Sequence, residues 1–158
     1  MRSRSIALVC GVGRRERGDD AAGPTVADRL ALRAPAGVEV RVVEDDILGL
    51  VDAWTGRQRV VLVDAMVSDA EPGTVRRFDA KAEALPTVLR AVSSHAFDVG
   101  AAVELARALG RLPDSLVVYG VEGRRFEGGS PLSTEVERAL DGVVERVLAE
   151  LGGGGATS

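Results

Sequence analysis

Cysteine, histidine, lysine and aromatic residues are all scarce in this sequence, and each shortage closes off a class of protein. A single cysteine, Cys10, allows no internal disulfide and no Cys₂His₂ or Cys₄ zinc site. A single histidine, His95, means that a Ser-His-Asp triad would have to use it. Ser93 and Ser94 stand too near it in sequence to be persuasive nucleophiles, and no serine occupies a G-x-S-x-G elbow. Aromatic residues make up 3%, so the core must be built from valine, leucine and alanine. Lys81 is the only lysine, and arginine carries the remaining positive charge, a bias expected of a GC-rich genome. There is no basic excess either. The formal net charge is −4, which lacks the electrostatic footprint of a general nucleic-acid binder. No apolar stretch approaches the roughly 18 residues of a membrane span. The short apolar run after Arg2 and Arg4 leads into a glycine turn rather than a signal-peptide cleavage site. A single cytoplasmic domain is the expectation.

What is present suits such a domain. The 158 residues are 46% hydrophobic and 28% charged, ordinary globular usage. At this length a fold buries about 70% of the surface that its unfolded chain exposes, so a core needs no staples. Residues 5–10 (SIALVC), stopped by Gly11-Val12-Gly13, read as a buried strand. A polar loop follows, then a helix in which Val26, Leu30 and Leu32 recur at helical spacing, with Asp19 or Asp20 as its N-cap and Pro24 in its first turn. Residues 38–43 (VEVRVV) alternate as a second strand, and 46–54 suit a short helix. Residues 59–64 (RVVLVD) form a continuous run typical of a strand covered on both faces. Residues 74–78, with two arginines, suit an edge strand. A helix is expected over 96–109, closed by Gly110, a strand over 115–121 and a long amphipathic helix over 135–151. Residues 152–158 read as a flexible glycine-rich tail outside the domain of 1–151.

The alternation of strands and helices predicts an α/β three-layer sandwich, with a mostly parallel sheet of about five strands and helices on both faces. Such sheets bind ligands outside the carboxyl ends of their strands, near a switch in strand order. Three strand-end positions therefore draw attention. In the loop GVGRRERGDDAAG, Asp19 and Asp20 precede a helix, one serving as its cap in the plainer reading. The loop is no dinucleotide fingerprint, because arginines occupy positions that need small residues and its carboxylates would repel phosphate. Asp64 closes the third strand, where it points into the crevice or caps a loop. His95 stands before a helix in SSHAFDVG. Two carboxylates and a neutral imidazole would complete an O, O, N donor set for a divalent ion. Glu44, Asp45 and Asp46 follow the second strand and either line the crevice or, for Asp46, cap the short helix. Cys10 lies inside an apolar strand, as an inert buried thiol would.

These three sites, in this order, resemble the hydrogenase maturation endopeptidases, small α/β proteins that trim the C-terminal extension from the large subunit of nickel–iron hydrogenases. Members open with a strand running into G-x-G-N-x-x-x-x-D-[DE]-x-x-G, matched by Gly11-Val12-Gly13-Arg14 and Asp19-Asp20-Ala21-Ala22-Gly23. An aspartate closing the third strand is matched by Asp64, a histidine in an S-x-H segment by His95, and a late strand followed by G-V by residues 117–122. The resemblance runs from about residue 5 to about residue 150. It implies a metal-dependent hydrolase with a carboxylate site, in which Asp20, Asp64 and His95 are catalytic and contact nickel already placed in the substrate, a position other divalent ions can take. Asp19 would cap the helix and orient the loop. It implies as partner a hydrogenase large-subunit precursor, with nickel-delivery proteins near it; from charge and hydropathy no nucleic acid and no membrane span are expected, and a monomer is expected because the metal comes from the substrate and no long apolar surface stripe is evident. Two departures stand out: Arg14 replaces the family's asparagine, and residues 44–49 replace a glycine-rich segment that shapes the family's substrate groove. The alternative reading is a non-catalytic, chaperone-like module of the same fold that recognises a metallated partner.

Overall fold

A computed structural model describes residues 6–46, 48–86 and 99–156. Strand β1 is Ala7–Val12, followed by a 3₁₀ turn at Gly18–Ala21 and helix α1 at Ala22–Ala31. Then come β2 (Val38–Val43), α2 (Leu48–Trp54), β3 (Arg59–Met66), β4 (Val75–Asp79), α3 (Val99–Ala108), β5 (Ser115–Glu122) and α4 (Thr134–Ala156). The strands form one sheet in the order β2-β1-β3-β5-β4. All neighbours are parallel except β4, which pairs antiparallel with β5 at the edge. This is the expected three-layer α/β sandwich.

Period-two alternation sorts the core. Leu8, Cys10, Leu62 and Val118 face α2 and α3, while Val9, Val61, Val63 and Val117 face α1 and α4. Both faces being covered explains why β3 and β5 are continuously apolar. Each fully buried valine or leucine contributes about 1.5–3 kcal/mol relative to exposure. Among the described residues, no helix is long and apolar enough to cross a membrane.

The chain runs out from β1 to β2 on one side and returns past β1 to β3 on the other, so the strand order reverses between β1 and β3. Two glycines close the layers at this point. A Cβ on Gly23 would lie 2.4 Å from the Val63 carbonyl oxygen and 2.5 Å from that of Val12, and one on Gly11 would lie 2.1 Å from the Gly23 carbonyl oxygen. The start of α1 therefore rests directly on the β1 and β3 backbones, a packing only glycine permits.

Several boundaries differ from expectation. β1 runs through Gly11 to Val12, because the glycine serves close packing rather than ending the strand. Leu32, expected on the apolar face of α1, is the C-cap residue and is 88% exposed. The expected tail begins as helix: α4 continues to Ala156, since glycine in a helix costs about 1 kcal/mol each rather than forbidding it. Residues 96–98 of the expected helix lie outside the described residues.

Candidate functional site

The carboxyl ends of β1, β3 and β5 define the candidate site, and the neighbouring residues Asp19 and Asp20 have opposite environments there. Asp19 is fully buried. Its carboxylate accepts the Arg124 N–H at 2.8 Å, the Arg125 N–H at 3.0 Å, the Ser133 N–H at 2.7 Å and the Ser133 hydroxyl at 3.0 Å. The Ser133 Oγ in turn accepts the Val136 N–H at the start of α4. Asp19 thus ties the loop after β5 to the loop after β1. The expected capping of α1 is corrected here: that helix has no side-chain cap, and Asp19 spends its acceptors on a segment over 100 residues away. Main-chain bonds complete the junction, from the Gly18 N–H to the Ser130 oxygen and from the Gly129 N–H to the Glu16 oxygen.

Asp20 is only partly buried. Its Oδ2 accepts the Arg14 N–H at 2.8 Å, while among the described residues Oδ1 accepts no hydrogen bond. Gly13, at φ +138, lets the chain fold back so closely that a Cβ there would lie 2.0 Å from the Asp20 carbonyl oxygen. Burial raises the Asp20 carboxyl above its ordinary range, against the lowering effect of the Arg14 N–H and of nearby arginine charge. A carboxylate short of water and of donors is a ready partner for a cation. Charge and donor type therefore suit a metal, most of all one brought to the site by something that binds there.

Asp64 is level with the end of β1, in strand β3 against which the 3₁₀ turn of Asp20 packs. It is 5% exposed, and its Oδ1 accepts the N–H of Ala65 at 2.9 Å. By alternation with Leu62 and Met66 its side chain belongs to the α2/α3 face of the sheet. Asp64 thus stands near the carboxyl end of the strand against which the turn carrying Asp20 packs, beside the switch in strand order. His95, with Ser93 and Ser94, lies outside the described residues. Among those described, no three histidine, cysteine, aspartate or glutamate side chains converge as a metal site.

The other candidates have structural roles. The Asp46 Oδ1 accepts the Gly49 N–H at 2.9 Å in the first turn of α2, Glu44 accepts the Arg15 N–H at 3.1 Å, and Asp45 pairs with the Arg14 guanidinium. Cys10 is buried, and desolvation pushes its thiol up to about 12, so it is not a nucleophile. Sequence reasoning missed Glu122, which is 2% exposed at the end of β5. Its carboxylate accepts the Ser68 N–H at 2.9 Å and the Ser68 hydroxyl, anchoring the segment that leaves β3 beside Asp64. The available signal was a carboxylate closing an apolar strand, the same pattern that marks Asp64.

Residues 37–150 match the Hydrogenase maturation protease family. The hydrogenase 2 maturation protease of Escherichia coli is 28% identical over 148 residues, covering 91% of this chain and 89% of its own length. Two solved Escherichia coli structures superpose well. An endopeptidase gives a TM-score of 0.81 at 28% identity, covering 97% of this chain and 94% of that one. The hydrogenase maturating endopeptidase HybD gives 0.75 at 25% identity with the same coverage. With the fold and a family match over most of its length in agreement, the chain belongs to the hydrogenase maturation proteases, hydrolases of the endopeptidase type.

Proposed function

We propose that this endopeptidase removes the C-terminal extension of a nickel–iron hydrogenase large-subunit precursor after nickel has been inserted, and that Asp20, Asp64 and His95 contact the nickel carried by that substrate. The observation that carries the reading is the state of Asp20: a partly buried carboxylate whose Oδ1 accepts no hydrogen bond among the described residues, held by the Arg14 N–H near the reversal of strand order. Such a group gains most from an arriving cation. A precursor without nickel offers it nothing, so cleavage waits on metal insertion. Two carboxylate oxygens and a neutral imidazole nitrogen are donors that a divalent first-row ion accepts, and they leave coordination positions for the substrate's own ligands. A metal held against the scissile segment can act as a Lewis acid on the carbonyl or can fix the peptide in place.

The replacement of the family's asparagine by Arg14 is compatible with this role. Asp20 is held by the main-chain N–H at position 14, which any residue but proline supplies, and the arginine side chain turns away to Asp45. The test is intact-mass analysis of precursor loaded with nickel, or free of it, incubated with the protein. The expected result is loss of one defined C-terminal fragment from the loaded precursor only, abolished by Asp20→Asn and by His95→Ala in folded variants. Cleavage of nickel-free precursor at the same rate would remove the metal contact from the reading. Tight binding without any cleavage would overturn the substrate assignment.

A further inference from the structure

We propose that the open edge of β2 is the docking strand for the precursor's C-terminal segment, which adds to the sheet as an extended sixth strand leading to the crevice of Asp20 and Asp64. The peptide's identity rests on the function proposed above; the docking geometry rests on the following observations. Among the described residues, β2 pairs only with β1. Every residue of β2 is exposed or half-buried, whereas β1 is buried throughout.

The polarity of the free edge follows from two hydrogen bonds. The Val43 carbonyl accepts the Gly13 N–H at 3.0 Å, and the Gly37 carbonyl accepts the Ala7 N–H at 3.5 Å. Main-chain groups of alternate residues point to opposite sides of a strand, so Glu39 and Arg41 also face β1, while Val38, Val40 and Val42 face outward. The Val38 N–H is taken by the Pro35 carbonyl. The outward N–H and C=O groups of Val40 and Val42 have no partner among the described residues, a ready template for an added strand.

The opposite edge offers no equivalent. β4 has five residues, with Arg77 paired to Glu150 and Arg76 laid over the Phe78 ring. Beside the outer half of β2, by contrast, runs a groove of about 360 Å³ floored by Val42 and Ala53, with Glu44, Asp45 and Asp46 at its rim. The one arginine in its lining, Arg41, is already paired with Glu39. A segment carrying basic residues therefore fits this groove best. The groove also leads to the chemistry: Arg14 pairs with Asp45, and the Arg15 N–H donates to Glu44, so its upper end is joined to the loop that holds Asp20.

Val42→Pro tests the idea directly. It deletes one outward N–H and spares the β1 ladder, at an edge position where proline is tolerated. Losing one main-chain hydrogen bond to substrate corresponds to about a tenfold rise in KM for nickel-loaded precursor, with kcat unchanged. In parallel, hydrogen exchange at residue resolution on the wild-type protein should show the Val40 and Val42 amides slowing about tenfold or more when precursor saturates, on the scale expected for hydrogen-bonded amides. The amides of Glu39, Arg41 and Val43, already bonded to β1, should change little. Should Val42→Pro destabilise the fold, the wild-type exchange experiment decides alone. Precursor that binds and is cut while both valine amides exchange at their free rates would overturn the docking and leave the endopeptidase reading standing. Precursor that the wild type neither binds nor cuts would overturn both.

Discussion

Asp19 and Asp20 are adjacent, chemically identical and predicted to fail in opposite ways. Asp19→Ala would strand three main-chain N–H groups and a hydroxyl inside the protein. The hydroxyl can rotate towards another acceptor, but the N–H groups are fixed, and each buried donor left unpaired costs about 1–3 kcal/mol. For three such groups the loss comes to about 3–9 kcal/mol, towards the lower end because the bonds from Arg124 and Arg125 are only part-buried, and a large part of the roughly 5–15 kcal/mol that holds a domain folded. Asp19→Asn keeps the shape but turns an NH₂ group towards donors, and should still cost about 2–3 kcal/mol. Asp20→Asn should behave otherwise. The hydrogen bond its carboxylate accepts among the described residues, from the Arg14 N–H, is kept by the amide oxygen, and the change removes a carboxylate that burial holds above its ordinary pKa. The folded state then binds a proton more readily than the unfolded one, so this carboxylate weakens folding at neutral pH and the penalty is relieved as pH falls through its raised pKa. Urea unfolding at pH 7 should therefore show a lowered midpoint for Asp19→Asn and an unchanged or raised one for Asp20→Asn, while only Asp20→Asn abolishes processing in a fully folded sample. Equal destabilisation by the two changes, or a processing-competent Asp20→Asn, would refute the division of labour.

Gly23→Ala should cost about 3 kcal/mol or more, because its methyl would meet three main-chain atoms of Val12 and Val63 within 2.7 Å and only displacement of α1 relieves this; chemical denaturation measures it. Arg14→Asn, which restores the family residue, should cost under about 1 kcal/mol and keep processing, since the pair lost with Asp45 is largely exposed; the same mass assay and a urea curve decide it. Cys10 should resist a water-soluble thiol reagent at pH 8 in the native protein and react on unfolding, so the rate of labelling reports global opening.

Much of this arrangement was open to sequence reading, and the parts that were not share a cause. β3 and β5 declare themselves because burial on both faces fills them with apolar residues, leaving one carboxylate in each as the exception: Glu122 at the end of β5, and Asp64 two residues short of the end of β3, which runs on past the expected stop to Met66. Asp64 and Glu122 are both such exceptions, though only the first was read as functional. β2 was legible to the residue, its alternation reflecting the exposed edge that the docking proposal uses. Gly11 was misread as a stop because a glycine that admits a neighbouring backbone looks, in sequence, like one that turns the chain. The role of Asp19 was invisible for a different reason. Three of its four partners are main-chain N–H groups, at 124, 125 and 133, and a backbone N–H has no residue identity to recognise.

The 3₁₀ geometry of Gly18–Ala21 explains how neighbours can diverge so far. With three residues per turn, successive side chains leave the axis about 120° apart, so Asp19 can drive into the junction with the β5–α4 loop while the Asp20 carboxylate turns instead to the Arg14 N–H. The two functions are coupled by that spacing. The junction fixes the turn from one side through Asp19, and Gly23 fixes it from the other by seating α1 on β1 and β3, so Asp20 has little freedom left to relax towards solvent. A carboxylate held short of water costs stability at neutral pH, and it persists because fully buried, fully bonded neighbours hold it there. On this argument the inserted residue in a Gly18-Gly-Asp19 variant would be worse than either aspartate substitution. It rotates both carboxylates out of register at once, so one experiment should lose the buried anchor and the group proposed to contact the substrate's metal together, read as a large fall in the urea midpoint with no processing by the fraction that remains folded.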